Sequence, residues 1–268
     1  MIIDFHTHCF VDAIAHRAIA SIEEKCMRHD IKAYLNGTKR QLLDSMQKAS
    51  IDKSVVLPIA TKPTQTKTIN AWAAKENDDK TIFFGTLHPA NEDYREHIRF
   101  IKESGLKGVK LHPDYQEFFV DDEKMYPIYD AVLSAGLILI FHAGFDAGYE
   151  PPYHCIPQRL RHVLDAMRGG TIVAAHLGGM LMWDDVEKYL VGQNIYFDTS
   201  MGLEYYSEDQ FLRIINNHTP QKILFGTDSP WSSQAEEIER MRATALTEEQ
   251  KRMIFYQNAA RLLGLSMQ

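Results

Sequence analysis

The chain has little cysteine. Cys9, Cys26 and Cys155 are the only three in 268 residues, and an odd, scattered set excludes a disulfide framework and fits a reducing cytoplasm. No apolar run approaches the length needed to cross a bilayer. The opening MIIDFH has no basic segment, and Asp4 interrupts its apolar residues, so no cleaved signal peptide is expected. There is also no block of lysine and arginine, and the net charge is −7. Such a chain offers no electrostatic footprint for nucleic acid, so a small-molecule substrate is expected, with no nucleic acid and no membrane as partner. The remaining composition, 45% hydrophobic and 24% charged, is that of a globular protein long enough to bury one large core. A single domain over residues 1–268 is expected.

Eight short apolar runs recur along the chain: IIDF, KSVVLPI, TIFFGTL, LKGVKL, GLILIF, GTIVAA, NIYFDTS and KILFGT. Several are apolar at consecutive positions, as a parallel strand covered on both faces requires. Between them lie segments of helical spacing such as TKRQLLDSMQKA and YREHIRFIKESG, several closed by Gly or Asn where a helix stops. This alternation predicts an α/β fold, a single (β/α)8 barrel, with an open doubly wound sheet as the alternative. The first connection, from about Phe10 to Ser50, is elaborated and holds more than one helical stretch. LTEEQKRMIFYQNAARLLG reads as a C-terminal closing helix.

Polar residues gather at one end of these runs. His6 and His8 end the first, Lys110 and His112 the fourth, His142 the fifth, His176 the sixth and Asp228 the eighth. In a barrel this is the end that carries chemistry. Residues two apart on a strand share a face, so His6 and His8 can grip one ion from two sides. Imidazole and carboxylate together suit Zn²⁺ and several other divalent metals. Each residue alone has a plainer reading: His142 or His176 as a buried histidine with its bonds satisfied, Asp228 as a turn former before Pro230. Their recurrence at the same end favours a site. His112, Tyr115, Phe118, Phe145, Tyr149 and Trp231 are expected to form an aromatic wall around the substrate. His16, His29, His97, His162 and His218 read as surface or packing residues, and His88 and His154 lie near the mouth without being first-choice ligands.

Taken together, DFHTH, GVKLHPDYQ, FHAG, AHLGG and FGTDSPW resemble the amidohydrolase superfamily. The nearest likeness is to its amidohydrolase-2 branch of metal-dependent barrel hydrolases and decarboxylases, which includes aminocarboxymuconate-semialdehyde decarboxylase. The resemblance runs end to end. It implies one divalent metal, expected to be Zn²⁺, bound by His6, His8, His142 and Asp228, with Asp228 and His176 as the catalytic proton-handling groups. Lys110, His112, Tyr115 and Trp231 become the substrate-binding or second-metal set, and a carboxylated Lys110 would bridge a second ion. A homodimer is compatible with this branch.

The expected activity is hydrolysis of an amide, ester or lactone by a metal-activated water. The alternative is a lyase, a decarboxylase or hydratase, on the same site. A decarboxylase needs a cationic clamp for the substrate carboxylate, for which Arg159, Arg161 and Lys110 are the candidates. A nuclease of the TatD type would carry a glutamate where Lys110 and His112 stand, and a silent binding protein is expected to have lost a ligand.

Overall fold

The computed structural model describes residues 1–167 and 169–266. Strand β1 (Ile3–Thr7) leads into helix α1 (Asp12–Lys25) and helix α2 (Lys39–Ala49) before β2 (Lys53–Val56), so the elaborated first connection is present. Then follow α3 (Thr66–Glu76), β3 (Thr81–Phe83), β4 (Gly85–Thr86), α4 (Tyr94–Glu103), β5 (Gly108–Leu111), α5 (Tyr126–Ser134) and β6 (Ile138–Phe141). The second half holds α6 (Pro157–Ala166), β7 (Ile172–Ala174), α7 (Trp183–Tyr189), β8 (Tyr196–Asp198), α8 (Glu208–His218), β9 (Ile223–Leu224) and α9 (Gln234–Ala243). Side chains of Thr38, Ser207 and Ser233 accept the backbone N–H three residues on and so start α2, α8 and α9.

The closing helix is α10 (Glu248–Arg252), a π-helical turn at Met253–Gln257 and α11 (Asn258–Leu263). A reciprocal cap between Thr247 and Gln250 begins it. Helix α9 was not expected. Its buried face consists of Gln234, Glu237, Ile238 and Met241, half of it polar, so no apolar stripe marks it in the sequence. No helix among the described residues is long and apolar enough to cross a membrane.

All strand pairings are parallel, in the orders β1-β2-β3 and β4-β5-β6-β7-β8-β9. The third expected strand is divided at Phe84. Its N–H bonds back to the Val56 carbonyl at 3.0 Å, while Gly85 pairs with Val109, so the chain changes partner there. The outer edges meet through three backbone bonds: Phe5 N to Phe225 O (2.7 Å), Asp228 N to His6 O (2.8 Å) and His8 N to Ser229 O (2.6 Å). With β3 and β4 counted as one interrupted strand, the ring is the expected (β/α)8 barrel.

Strands here are buried on both faces. Phe5, Val55, Phe84, Ile140 and Leu224 fill the interior, which Ala259, Ala260 and Leu263 of α11 close from below. Alternate residues such as Val56, Phe83, Leu139 and Phe141 pack against the helices. One irregularity serves the upper end. Between Asp4, paired with Ser54, and Thr7, paired with Val56, β1 holds one residue more than β2. The extra residue lets Phe5 fill the interior while His6, directly after it, faces the cavity above.

Phe84 is fully buried and meets the Phe5 ring edge-on at 5.9 Å between centroids. Phe84→Ala is expected to destabilise the fold by about 3–5 kcal/mol. Denaturant unfolding measures this, and a loss below about 1 kcal/mol would show that the interior is not packed as described.

Candidate active site

A cavity of about 270 Å³ opens at the C-terminal end of the strands. The expected metal, catalytic and second-metal or substrate-binding residues line it: His6, His8, Lys110, His112, Tyr115, His142, His176, Asp228 and Trp231. They divide into groups with different chemistry.

The first group is His6, His8 and Asp228. His6 Nδ1 donates to the Asp198 carboxylate at 2.9 Å, and His8 Nδ1 donates to the Leu57 carbonyl at 2.8 Å. In the neutral rings this leaves the lone pair of each Nε2 pointing inward. The two Nε2 atoms lie 3.2 Å apart, and Asp228 Oδ1 lies 3.2 Å from that of His6 and 3.1 Å from that of His8. Three acceptors therefore converge on one point, which is repulsive unless a cation sits between them. Donor atoms sharing one ion at about 2.1 Å stand about 3.0–3.4 Å from one another, so the set fits a divalent metal.

Protonation states agree with that fit. Burial, reinforced by Lys110, lowers the His6 pKa to about 4. Burial pushes the Asp228 carboxyl up, but the imidazoles of His6 and His8 outweigh it and hold the group well below the usual carboxylate range. The neutral ring and the ionised carboxylate are the forms that bind metal.

A second group, His112, His142 and Asp146, also brings ligand atoms together. Here hydrogen bonds account for the geometry. His112 Nδ1 accepts from Tyr115 N at 3.4 Å, which leaves Nε2–H to donate to Asp146 Oδ2 at 3.2 Å. His142 Nε2 donates to the Phe145 carbonyl at 3.2 Å. The His112 ring lies flat on His142 (4.1 Å, 7°) and on Tyr115 (3.9 Å, 22°). His142 is thus set apart from the other three residues of the expected metal set. Its Nδ1 is 3.0 Å from His176 Nε2, and burial keeps its pKa well below the ordinary value.

Behind these residues stands a buried polar layer that the sequence reading missed. Asp198, at the end of β8, holds His6 through Oδ2 and the backbone N–H of His176 through Oδ1 at 3.1 Å. The Ser200 hydroxyl donates to Asp198 at 2.5 Å, and the Ser200 carbonyl accepts from His176 Nδ1 at 3.0 Å. Burial raises the Asp198 pKa, but His6 outweighs it and the group stays ionised, well below the usual range. Gly226 makes room for this layer, because a Cβ there would stand 2.9 Å from that of His6. His176 and Asp228 both have φ in the left-handed region, at 58° and 67°, a strained conformation for residues with side chains and one that clusters at functional sites. Asp4, whose pKa burial raises to about 7, accepts from Thr227 N (3.0 Å), Thr227 Oγ1 (2.7 Å) and Gln234 Nε2 (2.8 Å). It thereby ties β1 to the loop carrying Asp228.

A signal for Asp198 was present, since NIYFDTS ends in a polar residue like the other strands. His29 and Asp146 also line the cavity, but His29 comes from a single 3-10 turn, Met27–His29, and Asp146 from a loop, neither long enough to show a period. His29, expected to be a surface or packing residue, meets Phe145 edge-on at 5.0 Å. Other expectations are corrected. Arg159 pairs with Asp121 at 2.7 Å and Arg161 with Asp165 at 2.9 Å, and neither lines the cavity. Phe118 is buried in the layer between sheet and helices, and Tyr149 lines a neighbouring cavity instead.

The amidohydrolase family model matches residues 3–265. No curated protein matches the chain. Solved structures do. The 5-carboxyvanillate decarboxylase LigW from Sphingomonas paucimobilis is 16% identical with a TM-score of 0.73, and the match covers 99% of each chain. An uncharacterised TIM-barrel protein from Bordetella bronchiseptica is 20% identical with a TM-score of 0.78, covering 98% of each. A dihydroxybenzoic acid decarboxylase from Polaromonas, with bound manganese and the inhibitor 2-nitroresorcinol, is 14% identical with a TM-score of 0.73, covering 98% of this chain and 96% of that one. At these identities the likeness establishes the fold. Against the expectation of hydrolysis, the neighbours are mainly decarboxylases, among them two 2,6-dihydroxybenzoate decarboxylase structures, which fits the lyase alternative better. With the family model matching nearly the whole length and the barrel shared with these structures, the chain belongs to the amidohydrolase family.

Proposed function

We propose that this protein is a metal-dependent lyase that removes CO2 from an aromatic carboxylic acid. The observation that carries the reading is Lys110. Its side chain is 1% exposed, its Nζ is 3.4 Å from His6 Nε2, and it is the one lysine or arginine among the described residues lining the cavity. No described carboxylate lies within ion-pairing distance of it, although Asp198 and Asp228 act on it from farther away. Burial lowers its pKa to about 8, which leaves the ammonium charged at neutral pH. A buried cation without a paired carboxylate is costly, and a substrate carboxylate placed beside it relieves that cost.

The walls favour a flat ring. Tyr115, His112 and His142 form a continuous stack, with Phe145 and Trp231 on the same cavity. The neighbours that act on 5-carboxyvanillate and 2,6-dihydroxybenzoate support an aromatic acid as the substrate class.

In the reaction the bond between the carboxylate carbon and the ring carbon breaks, and CO2 leaves. The electron pair stays on the ring carbon, which takes up one proton, so no oxidant or reductant is needed. Lys110 binds and orients the carboxylate. His176 is the proton carrier in this proposal, because its ring lines the cavity wall with Nε2 3.0 Å from His142 Nδ1, a second ring nitrogen through which a proton can pass. In this proposal one divalent ion is held by His6, His8 and Asp228, with His142 completing the set as the family resemblance implies. When bound, it would polarise a substrate oxygen and offset its charge. Manganese in two decarboxylase neighbours supports Mn²⁺ alongside Zn²⁺, and imidazole with carboxylate accommodates both.

Metal-loaded protein is expected to release CO2 from one or more hydroxybenzoic acids in a coupled CO2 assay. Lys110→Met is expected to lower kcat/KM about 100-fold with metal content unchanged. A panel of aromatic acids that yields no CO2 sinks this reading. Asp198→Asn, which weakens the hold on His6 Nδ1, is expected to lower divalent-metal affinity about 10–100-fold, measured by chelator competition with folding checked by circular dichroism. An unchanged affinity would show that His6 is oriented without this carboxylate.

A further inference from the structure

Beside the cavity just described lies a second one, of about 460 Å³. The two share His8, Ile22, Ile59 and Tyr115 as wall residues, so the second space begins at the far side of a proposed metal ligand. One wall is α1. Ile14, Ala18, Ser21, Ile22 and Lys25 all line the cavity, at the three- and four-residue intervals of one helical face. Helix α1 buries Ala15 and Ile19 against the protein, so the cavity side is a separate, largely apolar stripe. Ile14 on it is 45% exposed. Across the space stand Leu57, Pro58, Ile69 and Trp72. A roomy cavity with aliphatic and aromatic walls and a few polar groups has the make-up of a small-molecule site.

Lys25, Lys62 and Glu117 are the charged residues of its lining, a net positive set. Lys25 Nζ lies 5.6 Å from the Tyr115 ring centroid and 5.7 Å from that of Tyr149, and both rings line the same cavity. No ion pair with a described carboxylate engages Lys25. A free ammonium held over two aromatic faces at the edge of an apolar space is complementary to an apolar anion.

We propose that the second cavity is an extension subsite for an apolar, negatively charged arm of the substrate, with Lys25 receiving the charge. The acid is then elongated, with its reacting carboxylate at Lys110 and its remote portion between α1 and the loops after β2 and β5. The inference rests on the lyase reading for the identity of the reacting end only. The binding test below needs no turnover, so an acid panel without CO2 would overturn that reading and leave this subsite standing.

The probe is 1-anilinonaphthalene-8-sulfonate, an apolar aromatic anion, titrated by fluorescence onto the full metal-loaded chain. Saturable binding is expected. Ala18→Trp places an indole in the second cavity from a position that does not line the first, and is expected to weaken binding at least about tenfold. Lys25→Glu is expected to weaken it at least about fivefold while leaving the neutral probe N-phenyl-1-naphthylamine within about twofold. Lys25 is exposed, so this variant retains the fold and decides the matter if the bulky one does not fold. Absence of saturable binding, wild-type affinity in Ala18→Trp, or equal weakening of both probes by Lys25→Glu overturns the proposal.

Discussion

Two imidazole nitrogens and a carboxylate oxygen, from His6, His8 and Asp228, stand within 3.2 Å of one another with their lone pairs directed at a common point. Left alone, these atoms repel, and each ring would gain by turning away. They stay because each is held from behind: His6 by Asp198, His8 by the Leu57 carbonyl, and Asp228 by its own strained backbone, whose N–H reaches the His6 carbonyl at 2.8 Å. Burial adds to the constraint by keeping His6 neutral. The fold thus stores an electrostatic demand that a divalent cation satisfies, and much of the polar structure around the barrel mouth follows from it.

Asp198 shows how the demand is supported. One carboxylate aligns the His6 ring and the His176 backbone, and Ser200 connects the same carboxylate to His176. The candidate ion site and the His176 ring are therefore positioned by one buried group. Asp4 does comparable work on the outer side of β1, fastening the strand to Thr227 beside Asp228 and to Gln234 of α9. Gln234 on the inner face of α9 then has a structural reason, since it bonds to this carboxylate, while Ile238 and Met241 beside it join the core. Hydrolysis and decarboxylation can both use an ion in this position. What distinguishes this cavity is a cation without a paired carboxylate, Lys110, among stacked rings.

The strand ends were legible in the sequence because their surroundings are so apolar. In a run buried on both faces, a terminal His or Asp stands out, and five strands ended that way. The barrel followed from the same runs. Less legible were features that depend on which way a side chain turns. Arg159 lies just after β6 in sequence, yet it pairs with Asp121 away from the cavity. His142 shares the strand-end position of the other candidates, yet its ring lies flat on His112 and turns Nδ1 toward His176, a direction that the strand end does not give. Asp146 reaches the site from a loop and His29 from a single 3-10 turn, where no period announces direction. Even the inward turn of His6 depends on the extra residue in β1, which strict alternation does not contain.

By itself the sequence determined that the chain forms parallel strands and helices in alternation, and that the candidate metal-binding and proton-carrying residues lie at one end of those strands. Both are local properties, set by which residue types follow one another and how water treats them. Only the tertiary structure decided which of these residues meet. His8 and Asp228 are 220 positions apart, and whether their atoms come to 3.1 Å or face away depends on how the barrel closes, where its strands slip register and which buried partner holds each ring. Those quantities belong to the packed whole, because each is fixed by contacts between segments that the order of residues alone does not bring together.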